Sequence, residues 1–363
     1  MVLSNMFLIS DKWSGFIRRH WLSLAFVAGF ITDFLLLNRV DNLIDNIILL
    51  FYVVLATVAM WLFYVGVAER GPVFLNQRLV KFMPLLMQYA FGGLLSGMLI
   101  FYGRSGDWLA SAPFLLLLAL AIVLNEVIQK RSSRLLYNVA VYFVGLFSYC
   151  VLIVPVWLGK VGDLVFLGSG LLALCLTMAL IKLLKSTIPN FLELQKRFLV
   201  FIIGVLYVLL NGLYFYNLIP PIPLSLIELS IVHGVERTSS GYLIEREDKP
   251  WYRRYSPWEE TFTPLPGEGA YCFARVFAPT SIRTDITHRW ARVDASDAWQ
   301  EVFNLSYGIT SDNKNGYRGY TVARNLSNGR WRCTVENQRG QVLGRVSFLV
   351  DLNRPAPATV TVV

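Results

Sequence analysis

The sequence predicts two parts of different class. Residues 1–218 read as a polytopic α-helical membrane domain of about seven spans, and residues 226–353 as an all-β antiparallel sandwich. Three observations carry this. The 363-residue chain is 55% hydrophobic and 16% charged, where soluble domains run near 25% charged, and its mean hydropathy is +0.51. The apolar excess is confined to the first 218 residues as long runs. Beyond Pro220, Pro221 and Pro223 the hydrophobic period falls from a helical one to two.

A span needs about 20 mostly apolar residues. The runs are Trp21–Leu37, Ile44–Val67, Phe82–Tyr102, Trp108–Ile128, Leu136–Trp157, Leu164–Leu184 and Phe198–Tyr216. The first is long and lacks a small-x-small cleavage site after it, so it reads as a retained helix rather than a signal peptide. Lys and Arg cluster in alternate loops: thirteen lie at Lys12–Arg19, Arg70–Lys81, Lys130–Arg134 and Lys182–Arg197, against Arg39, Arg104 and Lys160 in the others. Basic loops stay cytoplasmic. The expected orientation is therefore a cytoplasmic N-terminus and an outer C-terminal domain, periplasmic in a Gram-negative host. The formal charge of +9 divides as +7 over residues 1–218 and +2 over 219–363. The basic excess thus belongs to the membrane half, and no nucleic-acid partner is implied.

Within "TDFLLLNRVDNLIDN" the turn Asn38–Asp45 faces outward, and Arg39 between Asp41 and Asp45 reads as an ion-paired surface turn. Asp33 lies about one helical turn inside the apolar run and cannot snorkel. Intramembrane carboxylates are costly, so it is either bonded to Arg39 or a neighbouring helix, or part of a polar site with Arg39, Asp41 and Asp45. Gln88, Asn125, Asn138 and Asn211 read as bonds between helices, and Glu126 pairs with Lys130 four residues on. Gly92, Gly93 and Gly97 give small-residue spacing for close helix approach.

A short, stiff Pro-rich linker is expected at 219–225. Candidate strands follow: "LIELSIVH", "GYLIERE", "AYCFARVFA", "RTDITHRWARV", "WQEVFNLSYGI", "GYRGYTVAR", "RWRCTVENQ" and "VLGRVSFLV". The turn signals "PGEG", "DNKNG", "LSNG" and "QRG" separate them. Residues 354–363 read as a tail. The order Cys272, Trp290, Cys333, with Trp331 two residues before the last, resembles immunoglobulin-type domains. That likeness makes an immunoglobulin-like sandwich the expected fold and Cys272–Cys333 a candidate disulfide, one that persists outside the cytoplasm. Two small buried residues on neighbouring strands are the alternative. Cys150 and Cys175 lie in spans as packing residues.

Motifs for chemistry are sparse. His20, His233 and His288 stand singly, and no paired-histidine, CxxC, GxGxxG or nucleophile-elbow pattern occurs. No catalytic residue, metal or cofactor is assigned, and His288 reads as a satisfied structural histidine. The loop "KPWYRRYSPWEE" sets Trp251, Tyr252, Tyr255 and Trp258 around Arg253 and Arg254. That set suits a membrane interface, a sugar or a protein partner, or a loop folded onto its own sandwich.

"TDFLLLNRVDNLIDN", "FYGRSGDWLASAPFLLLLALAIVLNE", "IPPIPLSL", "YCFARVFAP", "THRW", "GYRGYT" and "GRWRCTVENQRGQVLGRVSFLV" together resemble bacterial inner-membrane proteins that end in domain of unknown function 2914. The most specific part is the pattern Trp290, Arg318, Gly319, Trp331, Gly340, Gly344 and Phe348. The pattern implies an aliphatic residue where this chain has Cys333, so the disulfide is not implied by the family. The resemblance implies a layout and a bacterial envelope, and no activity. Two functional readings stand. One is a non-enzymatic envelope protein, anchored in the lipid bilayer and able to self-associate, whose sandwich binds a periplasmic protein or glycan. The other is a membrane-embedded transporter or enzyme with its polar site around Asp33, Arg39, Asp41 and Asp45.

Overall fold

Long runs of Leu, Ile, Val and Phe satisfy their backbone polar groups internally by forming helices, which is the arrangement a bilayer demands. The computed structural model describes residues 28, 30–37, 42–68, 77–127, 135–189, 195–238, 241–247, 260–264, 267–279, 282–310, 316–353 and 360–362. The side chains of 123–127, 247, 260, 310 and 360–362 lie outside that description. A short helical segment α1 (residues 30–36) precedes α2 (Leu43–Val67), α3 (Gln77–Ser105), α4 (Ala112–Val127), α5 (Leu135–Leu158), α6 (Asp163–Thr187) and α7 (Lys196–Phe215). Among the described residues, five helices are long and apolar enough to cross a membrane: α2, α3, α5, α6 and α7.

Seven full spans are thus not described. The expected fourth span, Trp108–Ile128, is shortened at its start. The carboxylate of Asp107 accepts from the backbone N–H groups of Leu109 (3.0 Å) and Ala110 (2.9 Å), holding a turn before the helix begins at Ala112. Asp45 is also corrected. Asn42 caps α2, its side chain accepting from Ile44 N–H, so Asp45 is in the first helical turn, where a negative charge suits the dipole. It is 2% exposed, buried rather than in a surface turn.

The chain divides into two units: residues 1–102 with 113–216, and residues 103–112 with 217–363. In the helical unit, α5 is the central element. Of its most apolar stretch 83% is buried, against 22% for α7, and it packs against α6, α7 and α2.

In the β unit the strands are β1 (Ser225–Val232), β2 (Gly234–Thr238), β3 (Gly241–Glu247), β4 (Glu260–Phe262), β5 (Ala270–Phe277), β6 (Arg283–Val293), β7 (Trp299–Thr310), β8 (Tyr317–Ala323), β9 (Gly329–Asn337), β10 (Val342–Val350) and β11 (Val360–Val362). They form three sheets, ordered β1-β5-β8, β4-β10-β9-β6-β7 and β11-β3-β2. All pairings are antiparallel except β10 with β4. Alternation along β6 sends Thr284, Ile286, His288 and Trp290 inward. There Trp290 joins Phe262, Cys272, Ala323, Trp331, Cys333 and Phe348, so the first two sheets share one core. Because β11 pairs with β3, the segment expected as a tail supplies a strand.

The linker is packed rather than free. The Gln341 side chain donates to the Ile219 carbonyl (2.9 Å), and the Asn217 side chain donates to the Arg339 carbonyl (3.2 Å). The segment 103–112 belongs to this unit through β10. Arg345 Nε meets Asp107 Oδ2 at 3.0 Å, and Asp107 N–H donates to the Val342 carbonyl (3.2 Å). Gly106 lies so near Pro220 and Pro221 that a Cβ there would sit 3.2 and 3.1 Å from them.

Candidate functional site

Two polar clusters stand inside otherwise apolar surroundings, one in each unit. In the helical unit Asp33 is fully buried. Its Oδ1 accepts from the Tyr52 hydroxyl of α2 (2.8 Å) and its Oδ2 from the Ser96 hydroxyl of α3. The glycines of "AFGGLLSGMLIF" make room for this. A Cβ at Gly93 would stand 2.5 Å from the Tyr52 ring. One at Gly97 would stand 2.8 Å from Leu49, 3.0 Å from Leu37 and 3.8 Å from the Asp33 carboxylate. The side chains that bond Asp33 among the described residues are hydroxyls of neighbouring helices. Arg39 and Asp41 lie outside the described residues, as does the loop holding Trp251, Tyr252, Arg253, Arg254, Tyr255 and Trp258.

Two further amides bond as structural groups. Asn138 of α5 donates to the Tyr64 hydroxyl of α2 (2.7 Å), and Asn211 donates back to the Tyr207 carbonyl one turn earlier (2.8 Å). Gln88 is fully buried, and neither of its amide atoms is hydrogen-bonded among the described residues. The side chains of Asn125 and Glu126 are outside the description.

The cluster in the β unit spans its two facing sheets. Cys272 of β5 and Cys333 of β9 are joined by a disulfide, linking the three-stranded to the five-stranded sheet. Trp290 Nε1–H donates to the Thr321 hydroxyl (2.9 Å), which also bonds His288 Nδ1 (2.9 Å). His288 Nε2 and the Tyr307 hydroxyl are 2.9 Å apart. With both ring nitrogens bonded and its surface fully buried, His288 is a satisfied residue. Burial lowers its pKa from 6.5 to about 4, so the imidazole is neutral near pH 7.

Sequence reasoning missed one juxtaposition. Ligand atoms of Cys272, His288 and Cys333 lie within 4.8 Å of one another, all buried. Inward alternation on β6 carried the signal for His288 and Trp290, but which cysteine faces them depends on how the sheets stack.

The pattern residues of the β unit have structural explanations. Trp290, Trp331 and Phe348 fill the core, and Trp331 Nε1–H donates to the Ser327 carbonyl (2.9 Å). Gly319 lies under the Tyr307 ring, where a Cβ would come within 2.5 Å, and a Cβ at Gly344 would overlap Leu226. Gly340 has φ +76° in the β9–β10 turn, a conformation that favours glycine. Arg318 pairs with Arg275 across β8 and β5. On the other face of the five-stranded sheet, Arg332 lies 3.7 Å over the Trp299 ring, and Arg289 bonds Glu336 (2.7 Å). Burial raises the Glu336 pKa while Arg289 opposes the shift.

Residues 283–350 match the family model described as "Protein of unknown function (DUF2914)". The match runs from the first residue of β6 to the last of β10. No curated protein matches the chain. Among solved structures, Pseudomonas fluorescens alkylpurine DNA glycosylase AlkC, bound to DNA containing an abasic site analog, is similar at 12% identity over 86% of this chain and 100% of that one. Its TM-score of 0.22 is too low to carry any argument about fold or function.

Proposed function

We propose that the protein is a non-enzymatic component of a bacterial inner membrane. In this reading the helical unit anchors a periplasmic, immunoglobulin-like sandwich that binds a protein or glycan partner. The observation that carries the anchor reading is Asp33, whose two carboxylate oxygens are taken up by hydroxyls of two neighbouring helices at a position with no exposed surface. A transport or catalytic carboxylate needs a path to substrate, whereas this one ties three helical segments together. The Arg332–Trp299 stack and the polar side chains beside it offer a partner-contacting face for the sandwich.

The tie between residues 103–112 and β10 supports the proposed topology. Both must face the same side of a bilayer, so the chain crosses an even number of times between them. In this reading α4, α5, α6 and α7, which lie between the two segments in the chain, are four crossings. The 16-residue α4 therefore counts as a span in this account.

Asp33 separates the readings. Asp33→Ala takes the carboxylate acceptor from the Tyr52 hydroxyl and leaves Ser96 only the Gly93 carbonyl (3.2 Å) in a dry setting, a cost of roughly 1–3 kcal/mol. The expected result is less protein in the membrane and a lower melting temperature in detergent. Asp33→Asn keeps an acceptor, and in a deletion-complementation assay it should support function at near-parental protein level. Loss of function in Asp33→Asn at full protein level and full detergent stability would favour a transporter or enzyme instead.

A further inference from the structure

We propose that Cys272 and Cys333, when reduced, form with His288 a buried three-ligand site for a thiophilic divalent cation, of which Zn²⁺ is the type. The inference stands apart from the proposed function. Its basis is geometric: two sulfurs and an imidazole nitrogen, from β5, β9 and β6, lie within 4.8 Å of one another in the core. Cys₂His with one further ligand is an established zinc set. Strands hold all three residues, so their backbones are fixed before a cation arrives.

The step balances as follows. A dithiol reductant attacks the Cys272–Cys333 bond and is itself oxidised to a disulfide. It delivers two electrons and two protons, leaving two thiols. The cation then displaces both thiol protons to solvent and binds two thiolates and one imidazole lone pair. Two thiolates neutralise a 2+ ion, so the filled site brings no net charge into a dry core.

The surroundings of His288 suit a ligand. Its two nitrogens are bonded to Thr321 and Tyr307. One of these bonds is exchanged for the metal bond, and the other remains to orient the ring, as partners of metal-bound histidines do. The Thr321 hydroxyl, which bonds His288, lies on the residue opposite Cys272 in the β5–β8 register. The disulfide and the metal site are thus alternative states of the same sulfurs. The oxidised state prevails in an oxidising compartment.

The test uses the full chain in detergent with Co²⁺ as the probe. It compares the oxidised protein with protein reduced by a phosphine, which does not compete for the metal as dithiols do. The reduced protein should bind one equivalent with a thiolate-to-cobalt charge-transfer band that Zn²⁺ abolishes, and the oxidised protein should show no such band. His288→Gln should weaken binding by at least ~10-fold, the loss that even an outer-shell partner brings. Cys333→Val, which keeps a small apolar side chain in the core, should fold and show no band. Three results would overturn the proposal: a reduced, folded protein without the band; a protein that unfolds on reduction and is not restored by metal; or a band retained in Cys333→Val.

Discussion

Trp290→Ala will destabilise the β unit by about 3–5 kcal/mol, the range for removing a large aromatic from a packed core. Trp290 has no exposed surface. Its ring lies against Phe303 (centroids 5.8 Å apart) and Phe348 (6.3 Å), and its N–H donates to Thr321. Truncation leaves a cavity beside the disulfide and takes one donor from the Thr321 hydroxyl. For a unit of this size the melting temperature should fall by about 10 °C, read by circular dichroism of the detergent-solubilised protein. Trp290→Phe keeps most of the volume and loses the hydrogen bond, so its loss should be smaller. A melting temperature unchanged in Trp290→Ala would remove this residue from the core.

Acidification will weaken the disulfide-bonded protein through His288. The group is held at about 4 by burial, below its ordinary 6.5. As pH falls through 6.5 the unfolded chain takes up a proton while the folded chain stays neutral. The stability is therefore fully present above pH 6.5 and is lost progressively down to about pH 4. At about 1.4 kcal/mol per pKa unit the loss approaches roughly 3 kcal/mol. Glu336 works the other way: its carboxyl is raised by burial, so it favours the folded state as pH falls. Urea melts at pH 7 and pH 4.5 measure the balance, and His288→Gln should flatten the slope. A variant that keeps the parental slope would assign the acid sensitivity to other groups.

Much of the layout was legible because two periods dominate the chain. Five apolar runs became long helices, and eight period-two segments became strands with ends within a residue or two. Where reading failed, the cause was tertiary. β2 begins two residues after β1 ends, with no turn signal strong enough to divide them. β11 is three residues long and exists by pairing with β3. Trp108 looked like the start of a span, yet Asp107 holds a turn there and pairs with Arg345, about 240 residues away in a chain whose folding brings them together. For Asp33, cost alone required a partner, but Tyr52 and Ser96 are ordinary residues of apolar helices, and only packing singles them out. The Gly93 and Gly97 spacing was visible, and its purpose, admitting the Tyr52 ring at Gly93 and the Leu49 and Leu37 side chains at Gly97, was not.

The central claim is that residues 103–112 and the β unit stand together on the outer face of the membrane. Single cysteines test it directly once Cys150 and Cys175, the two free cysteines, are replaced by Ala and Ser. Trp108→Cys, at a position 72% exposed, reports on the loop. Ala295→Cys, in the exposed β6–β7 turn, reports on the β unit, and Ser186→Cys, exposed near the end of α6, reports on the opposite side. In intact spheroplasts a membrane-impermeant maleimide should label the cysteines at 108 and 295 and reach the one at 186 only after permeabilisation. Labelling of 108 and 295 from opposite sides, or of 186 alone from outside, would contradict the account.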